Sequence, residues 1–300
     1  MRVPPPMTSL HYSQRAHRED DSGLPASPPR RLGELLRERL SEDQVKSVLY
    51  FQRERSLRFG EAAVALRLVD RQEVLDALSR QFEYATGVES AADGELIMAA
   101  DPFSDQADAF RELRSRMLLE VLQDRPRCAL AVLSPDPGDG KTYLVANLAI
   151  AFSQLGERTL VIDADVRTPR LHRLFNVPGE PGLSKVLAGH ASVGEAVRAV
   201  ARLPCLHVLP GGGVPPNPLE LLQRRSFTGL LHDMVDSFEH VLIDTPAASR
   251  GADCRVIASR CGGVIVLARR NRTRFEALEG LLASLSRGPA AVAGVVMNDH

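Results

Sequence analysis

Nine residues constrain this chain more than any others. Ser134 to Thr142 read SPDPGDGKT, directly after the apolar run CALAVLS and directly before TYLVANLAIAFSQLG. A short apolar run next to Pro and Gly predicts a buried strand, and the longer run, closed by Gly156, predicts a helix. Between them, Gly138 and Gly140 let backbone N–H groups turn toward one point. Lys141 would reach the β- and γ-phosphates of a nucleotide and the Thr142 hydroxyl its metal, over the positive end of the helix dipole. Asp139 and Tyr143 flank these residues and join the candidate binding set. Pro135 stands where the broad GxxxxGK[ST] pattern has its first glycine, so the loop departs from the ordinary geometry. A dinucleotide site is the rival, but the third glycine of GxGxxG is missing and a loop lysine favours a triphosphate.

The pattern after this loop extends the argument. RTLVIDAD, LHVLPGG, HVLIDT, GGVIVLAR and AAVAGVVMN read as strands, alternating with helical stretches such as SFTGLLHDMVDSF and RTRFEALEGLLASLS. Apolar strands alternating with helices predict an α/β fold of the P-loop NTPase type, with a mainly parallel sheet flanked by helices. Two strands end in carboxylates, where ligands gather in such sheets. Asp163 and Asp165 lie two residues apart, so at strand spacing they face one side and can share Mg²⁺ and a nucleophile's proton. Asp244 ends VLID. A single such acid reads equally well as a helix cap; three sites in this order do not.

Composition narrows the classes. Lys+Arg number 37 against Asp+Glu 38, a net charge of −1, so no bulk positive field exists for nucleic acid or acidic lipid. The four cysteines show no metal-ligand spacing and read as reduced thiols of a cytoplasmic protein. No apolar run suggests a membrane span, and MRVPPPMTSLHYSQ lacks the apolar core of a leader. Residues 1–30, with six of the twenty prolines, are expected to form a disordered arm. Residues 31–86 are helical in period and repeat internally: LGELL…LSEDQVKSVLYFQ echoes FGEAAVALRLVDRQEVLDALSRQ, with Ser41 and Asp70 at helix N-caps. Residues 87–103 read as a linker, 104–300 as the P-loop domain. A helix is expected from Asp105 through FRELRSRMLLEVLQ.

These motifs resemble the bacterial tyrosine kinases of polysaccharide export. The resemblance rests on Asp163, Asp165, Arg167 and Pro169 as a DxDxRxP motif, on PGLSKVLAG, on LPGGGVPPNPLELL and on the terminal VVMND. DAFRELRSR is similar to that family's ExxRxxR oligomerisation helix, with Asp108, Arg111 and Arg114 in place and Asp for Glu. With the helical front module, the chain most resembles the EpsG-type chain-length-determinant kinases. Asp136 occupies the place where septum-positioning and DNA-partitioning relatives carry a second lysine, which argues against that branch.

The resemblance implies ATP and Mg²⁺ binding with γ-phosphoryl transfer to tyrosine. Lys141 and Thr142 would hold phosphate and metal, Asp163 and Asp165 would supply base and metal contacts, and Asp244 a further metal or water contact. Asn298 matches a last-strand Asn that contacts adenine in related proteins. The implied partners are further copies of the chain and a separate membrane chain-length (co-polymerase) protein, which would hold it at the inner face of the inner membrane. The family's C-terminal tyrosine cluster has no counterpart here: the tyrosines are Tyr12, Tyr50, Tyr84 and Tyr143. Autokinase activity therefore stays open beside a second expectation, a non-kinase ATPase switch. The front module resembles MshEN-type domains, some of which bind cyclic di-GMP, through Arg31, Leu32, Gly33 and Gln52 and again Arg58, Phe59, Gly60 and Gln81. A helical protein-interaction module is the alternative.

Overall fold

The computed structural model describes residues 36, 39–55, 57–70, 73, 74, 77, 94–123 and 127–299. The expected arm, Arg31, Leu32, Gly33, Gln81, Tyr12 and Tyr84 lie outside them. The chain divides into two units, Met1–Leu68 and Val69–His300.

In the first unit, α1 (Glu42–Arg55) buries Val45 and Val48, and α2 (Phe59–Ala65) buries Gly60, Ala62 and Ala63. Ser41 caps α1 as expected. Its N–H donates to Gln44 Oε1 at 2.8 Å, and its Oγ accepts from Gln44 N at 3.3 Å. Such reciprocal pairs satisfy the orphan donors of a helix start. In the second unit, the other expected cap, Asp70, makes the same exchange with Glu73 at 2.9 and 2.7 Å.

The second unit is built on seven strands: β1 (Ala129–Leu133), β2 (Thr159–Asp163), β3 (Arg198–Val200), β4 (Leu203–Leu209), β5 (His240–Asp244), β6 (Gly263–Arg269) and β7 (Ala291–Asn298). Their order is β3-β4-β2-β5-β1-β6-β7. Every pair is parallel except β3 with β4. β1, β2 and β5 are buried at every position, which is why they read as continuous apolar runs. One core lies on each face. On one side are α3 (Asp105–Arg116) and α4 (Lys141–Ser153); on the other are α5 (Arg225–Ser237), α6 (Asp253–Ala258) and α7 (Phe275–Leu285). β1 carries the phosphate loop into α4. Register pairs Asp163 with Asp244 on the adjacent strands β2 and β5.

Three features differ from the sequence reading. α3 ends at Arg116, and Met117–Leu122 continue it as a π-helix. β3 is a three-residue antiparallel edge strand, too short for periodicity to reveal. Within the stretch read as a linker, Ile97–Ala100 form a helical turn, and Leu96, Met98 and Ala99 are buried in the core beside α4. The cause is Asn147, wholly buried on α4. Its Oδ1 accepts from Met98 N at 3.0 Å, and its Nδ2 donates to Glu95 O at 2.8 Å and Tyr143 O at 3.0 Å. A buried amide with all these partners binds the segment to the helix that follows the phosphate loop.

Candidate phosphate-loop site

The loop has little room for side chains where it turns. Gly138 (φ +82°) and Gly140 (φ +104°) hold left-handed conformations. A Cβ on Gly140 would lie 2.5 Å from Asn298 Nδ2. Glycine is required there by backbone angle and by space. Asp139 is wholly buried. Its carboxylate accepts from Asp136 N at 2.9 Å and from Thr273 Oγ1 at 3.0 Å. Its side chain therefore braces the loop, while its backbone stays part of the cradle.

Lys141 opens α4 and points back along β1. Its Nζ donates to Ser134 Oγ at 2.9 Å and reaches Asp136 O at 3.5 Å. Burial pulls its ammonium below the ordinary lysine range, while Asp244, Asp139 and Asp165 pull the other way. Thr142 Oγ1 donates to Asp244 Oδ2 at 2.6 Å. Asp163 Oδ2 accepts from the N–H groups of Arg170 and Leu171 at 2.8 and 3.0 Å. The second oxygen of each carboxylate, Asp163 Oδ1 and Asp244 Oδ1, is buried and has no hydrogen-bond partner among the described residues. Desolvation pushes Asp163 well above the usual carboxylate range, with Asp244 adding repulsion. Desolvation likewise pushes Asp244 up to about 6.

Two buried carboxylates side by side, each with an orphan oxygen, form an electrostatically costly arrangement that a cation relieves. The residues present fit a divalent metal. The Thr142 hydroxyl with the free oxygens of Asp163 and Asp244 would hold Mg²⁺ as hard oxygen ligands, and nucleotide phosphates would complete the shell.

The structure brings Lys141, Thr142, Asp163 and Asp244 together. It places Asp165 differently from the strand argument. β2 ends at Asp163, so Asp165 lies in the following turn rather than on the strand. It is half-buried, and its carboxylate accepts from Arg167 N, Thr168 N and Thr168 Oγ1 at 3.3, 3.0 and 2.9 Å. Its charge still acts on Lys141, Asp163 and Asp244. Tyr143 packs against Phe110, ring centroids 5.8 Å apart. Both line a cavity of about 420 Å³ that opens beside Gly140 and Asn298.

Asn298 reaches the loop itself, donating from Nδ2 to Asp139 O at 2.8 Å. Arg111 and Arg114 also have partners within the chain. Arg111 pairs with Asp108 at 2.7 Å and donates to Pro102 O, and Arg114 donates to Ala151 O at 2.7 Å. Arg167 Nε meets Asp253 Oδ2 at 2.5 Å, with the Asp253 side chain only 2% exposed. Sequence reasoning missed Ser134, Thr273 and Asp253. The serine lay within the loop motif, whereas the other two are more than 80 residues from their partners and carry no local signal.

Comparison with known proteins agrees with this geometry. Residues 130–300 match the CobQ/CobB/MinD/ParA nucleotide binding domain. The chain is 30% identical over 200 residues to the putative tyrosine-protein kinase CapB of Staphylococcus aureus, covering 66% of this chain and 86% of CapB. It is 36% identical over 170 residues to the tyrosine-protein kinase ptk of Acinetobacter johnsonii, covering 57% of this chain but only 23% of that protein. The kinase domain of the Escherichia coli tyrosine kinase ETK superposes with a TM-score of 0.65 at 28% identity, covering 68% of this chain and 79% of that domain. The match over residues 130–300 takes in the buried lysine and the two facing strand-end aspartates, and this chain belongs to the CobQ/CobB/MinD/ParA nucleotide-binding family and, within it, to the bacterial tyrosine-protein kinases.

Proposed function

We propose that this chain is an ATP- and Mg²⁺-dependent protein-tyrosine kinase that acts in exopolysaccharide chain-length control with a separate membrane chain-length protein. One observation carries the reading: Thr142, Asp163 and Asp244 converge beside Lys141 with two buried carboxylate oxygens left for a cation. The loop N–H groups and Lys141 would take the β- and γ-phosphates. The cavity beside Gly140 and Tyr143 would take the nucleoside, with Phe110, Leu144 and Met297 against the base. Bound Mg²⁺ would neutralise charge on the phosphate oxygens.

In the reaction the tyrosine hydroxyl oxygen bonds to the γ-phosphorus as the bond from that phosphorus to the β–γ bridging oxygen breaks. The hydroxyl proton passes to a carboxylate, for which half-exposed Asp165, two residues past the end of β2, is our candidate. Little more is required, because phosphoryl transfer is mostly positioning and charge neutralisation. Arg111 and Arg114 would act in self-assembly by anchoring α3 to Pro102 and Ala151, so that α3 presents its remaining face to a neighbouring copy. No helix among the described residues is long and apolar enough to cross a membrane. The membrane contact is assigned to the partner, and the chain to the cytoplasmic face of that membrane.

The test is phosphotyrosine mass spectrometry after co-expression with the membrane chain-length protein encoded nearest to it. Phosphotyrosine that disappears in Lys141→Met supports the kinase. Intact ATP binding without phosphotyrosine replaces it with an ATPase switch.

A further inference from the structure

A phosphate loop works through its N–H groups, yet three successive carbonyls of this loop are each held from behind by a different side chain. Arg272 Nη2 lies 3.4 Å from Pro137 O, Arg269 Nη1 3.0 Å from Gly138 O, and Asn298 Nδ2 2.8 Å from Asp139 O. The first donor comes from the turn after β6, the second from the last residue of β6, and the third from the end of β7. Thr273 of the same turn reaches the Asp139 carboxylate, and its Oγ1 accepts from Arg269 N at 2.8 Å. The Arg272 guanidinium lies so close to Gly138 that a Cβ there would meet its nitrogens at 3.1 Å.

A trans peptide is planar, with its C=O and N–H pointing opposite ways. Fixing the carbonyl of Pro137 therefore fixes the N–H of Gly138. In the same way, Gly138 O fixes the N–H of Asp139, and Asp139 O fixes that of Gly140. No main-chain acceptor takes these three N–H groups among the described residues. A guanidinium on the carbonyl side also polarises the peptide and makes its N–H a stronger donor. The surroundings make this worthwhile. Asp139, Asp165 and Asp244 act on the single lysine of the loop, so an incoming polyphosphate meets an acidic field.

We infer that Arg269 and Arg272 are positioning residues for the nucleotide phosphates. They form a cationic clamp that acts through the carbonyls of the loop and never touches the ligand. Asn298 completes the row through Nδ2. This rests on the nucleotide-binding reading above.

The experiment compares the full-length wild type with Arg269→Ala, Arg272→Ala, the double variant and Arg269→Lys. For each, Kd is measured for Mg-ATP and for adenosine, with the melting temperature recorded without ligand. Each alanine variant should bind Mg-ATP about tenfold more weakly, with the double variant weaker still, as expected for charge-assisted bonds. Adenosine affinity and ligand-free melting should stay near wild type, because both arginines sit at the surface of the loop. Arg269→Lys, which keeps a cation but loses the planar fork, should recover part of the loss. Unchanged Mg-ATP affinity in the double variant overturns the clamp alone. Equal losses for Mg-ATP and adenosine also overturn it, since they mark general damage. A wild type that binds no Mg-ATP ends both the nucleotide reading and the clamp.

Discussion

Replacing Asp244 by Asn should make the ligand-free protein more stable and abolish its response to Mg-nucleotide. The carboxylate is 1% exposed, and desolvation lifts it from 3.8 to about 6. That displacement corresponds to about 3 kcal/mol by the usual relation between proton affinity and free energy. The sign follows from linkage. The folded state binds the proton more tightly than the unfolded state, so the group's stabilising contribution is complete below about pH 4 and lost as pH rises through about 6. Asp163, opposite on β2, is raised for the same reason and by Asp244 itself, so it adds in the same direction. Asparagine keeps the shape and an acceptor for Thr142 Oγ1 but has no charge to desolvate.

Thermal unfolding of both proteins without ligand, from pH 4 to 8, separates this pair from other titrating groups. The two curves should coincide near pH 4. At pH 8 the variant should melt about 5–10 °C higher, given the few degrees that each kcal/mol is worth in a domain of this size. Mg-ATP should raise the wild-type melting temperature more at pH 8 than at pH 5, because the cation replaces the proton, and should leave the variant unmoved. Parallel curves at every pH, or a variant less stable than wild type at pH 8, would refute the argument that these carboxylates are held at a cost until a cation arrives.

Other expectations are more local. Gly140→Ala, forced into φ +104° and against Asn298, should lose most nucleotide affinity, as read by calorimetry with Mg-ATP. Arg167→Ala leaves Asp253 buried without its partner and should lower the unfolding free energy by about 2 kcal/mol in urea titration, while the Arg167→Ala/Asp253→Asn pair should regain part of it. Asn147→Ala strips the 95–98 segment of its anchor and should cost about 1–3 kcal/mol, with faster amide exchange at Met98 as the specific sign. For the front module, cyclic di-GMP binding and a helical protein-interaction role are the two alternatives, and the full chain can be titrated with the dinucleotide to separate them. Saturable binding that Arg58→Ala abolishes supports the first, and no binding at high micromolar concentration leaves the second.

What the sequence disclosed and what it hid divide along a physical line. Strands β1, β2 and β5 were legible because burial on both faces demands unbroken apolar runs. The phosphate loop was legible because its chemistry lies within nine consecutive residues. The caps at Ser41 and Asp70 were legible because their partners stand three residues away. Each feature that escaped depends on a partner the sheet supplies from elsewhere. Asn147 was one polar residue inside an apolar helix until the 95–98 backbone was laid against it, and that contact drew part of an apparent linker into the core. Asp165 was misplaced on the strand because its own turn, through Thr168, ends the extended backbone two residues sooner than the side-chain pattern implies. Arg269, Arg272 and Thr273 each lie more than 130 residues beyond their loop partners, and arginine is common enough in this chain to attract no notice, while Asn298 was singled out but not for its bond to the loop. They reach the loop because β1 stands beside β6, and β6 beside β7, in the sheet. The strand order therefore does more than carry the phosphate loop to its place. It delivers to the back of that loop the donors that aim its N–H groups, and such an arrangement has no linear motif, since the groups it contacts are main-chain carbonyls that every residue possesses.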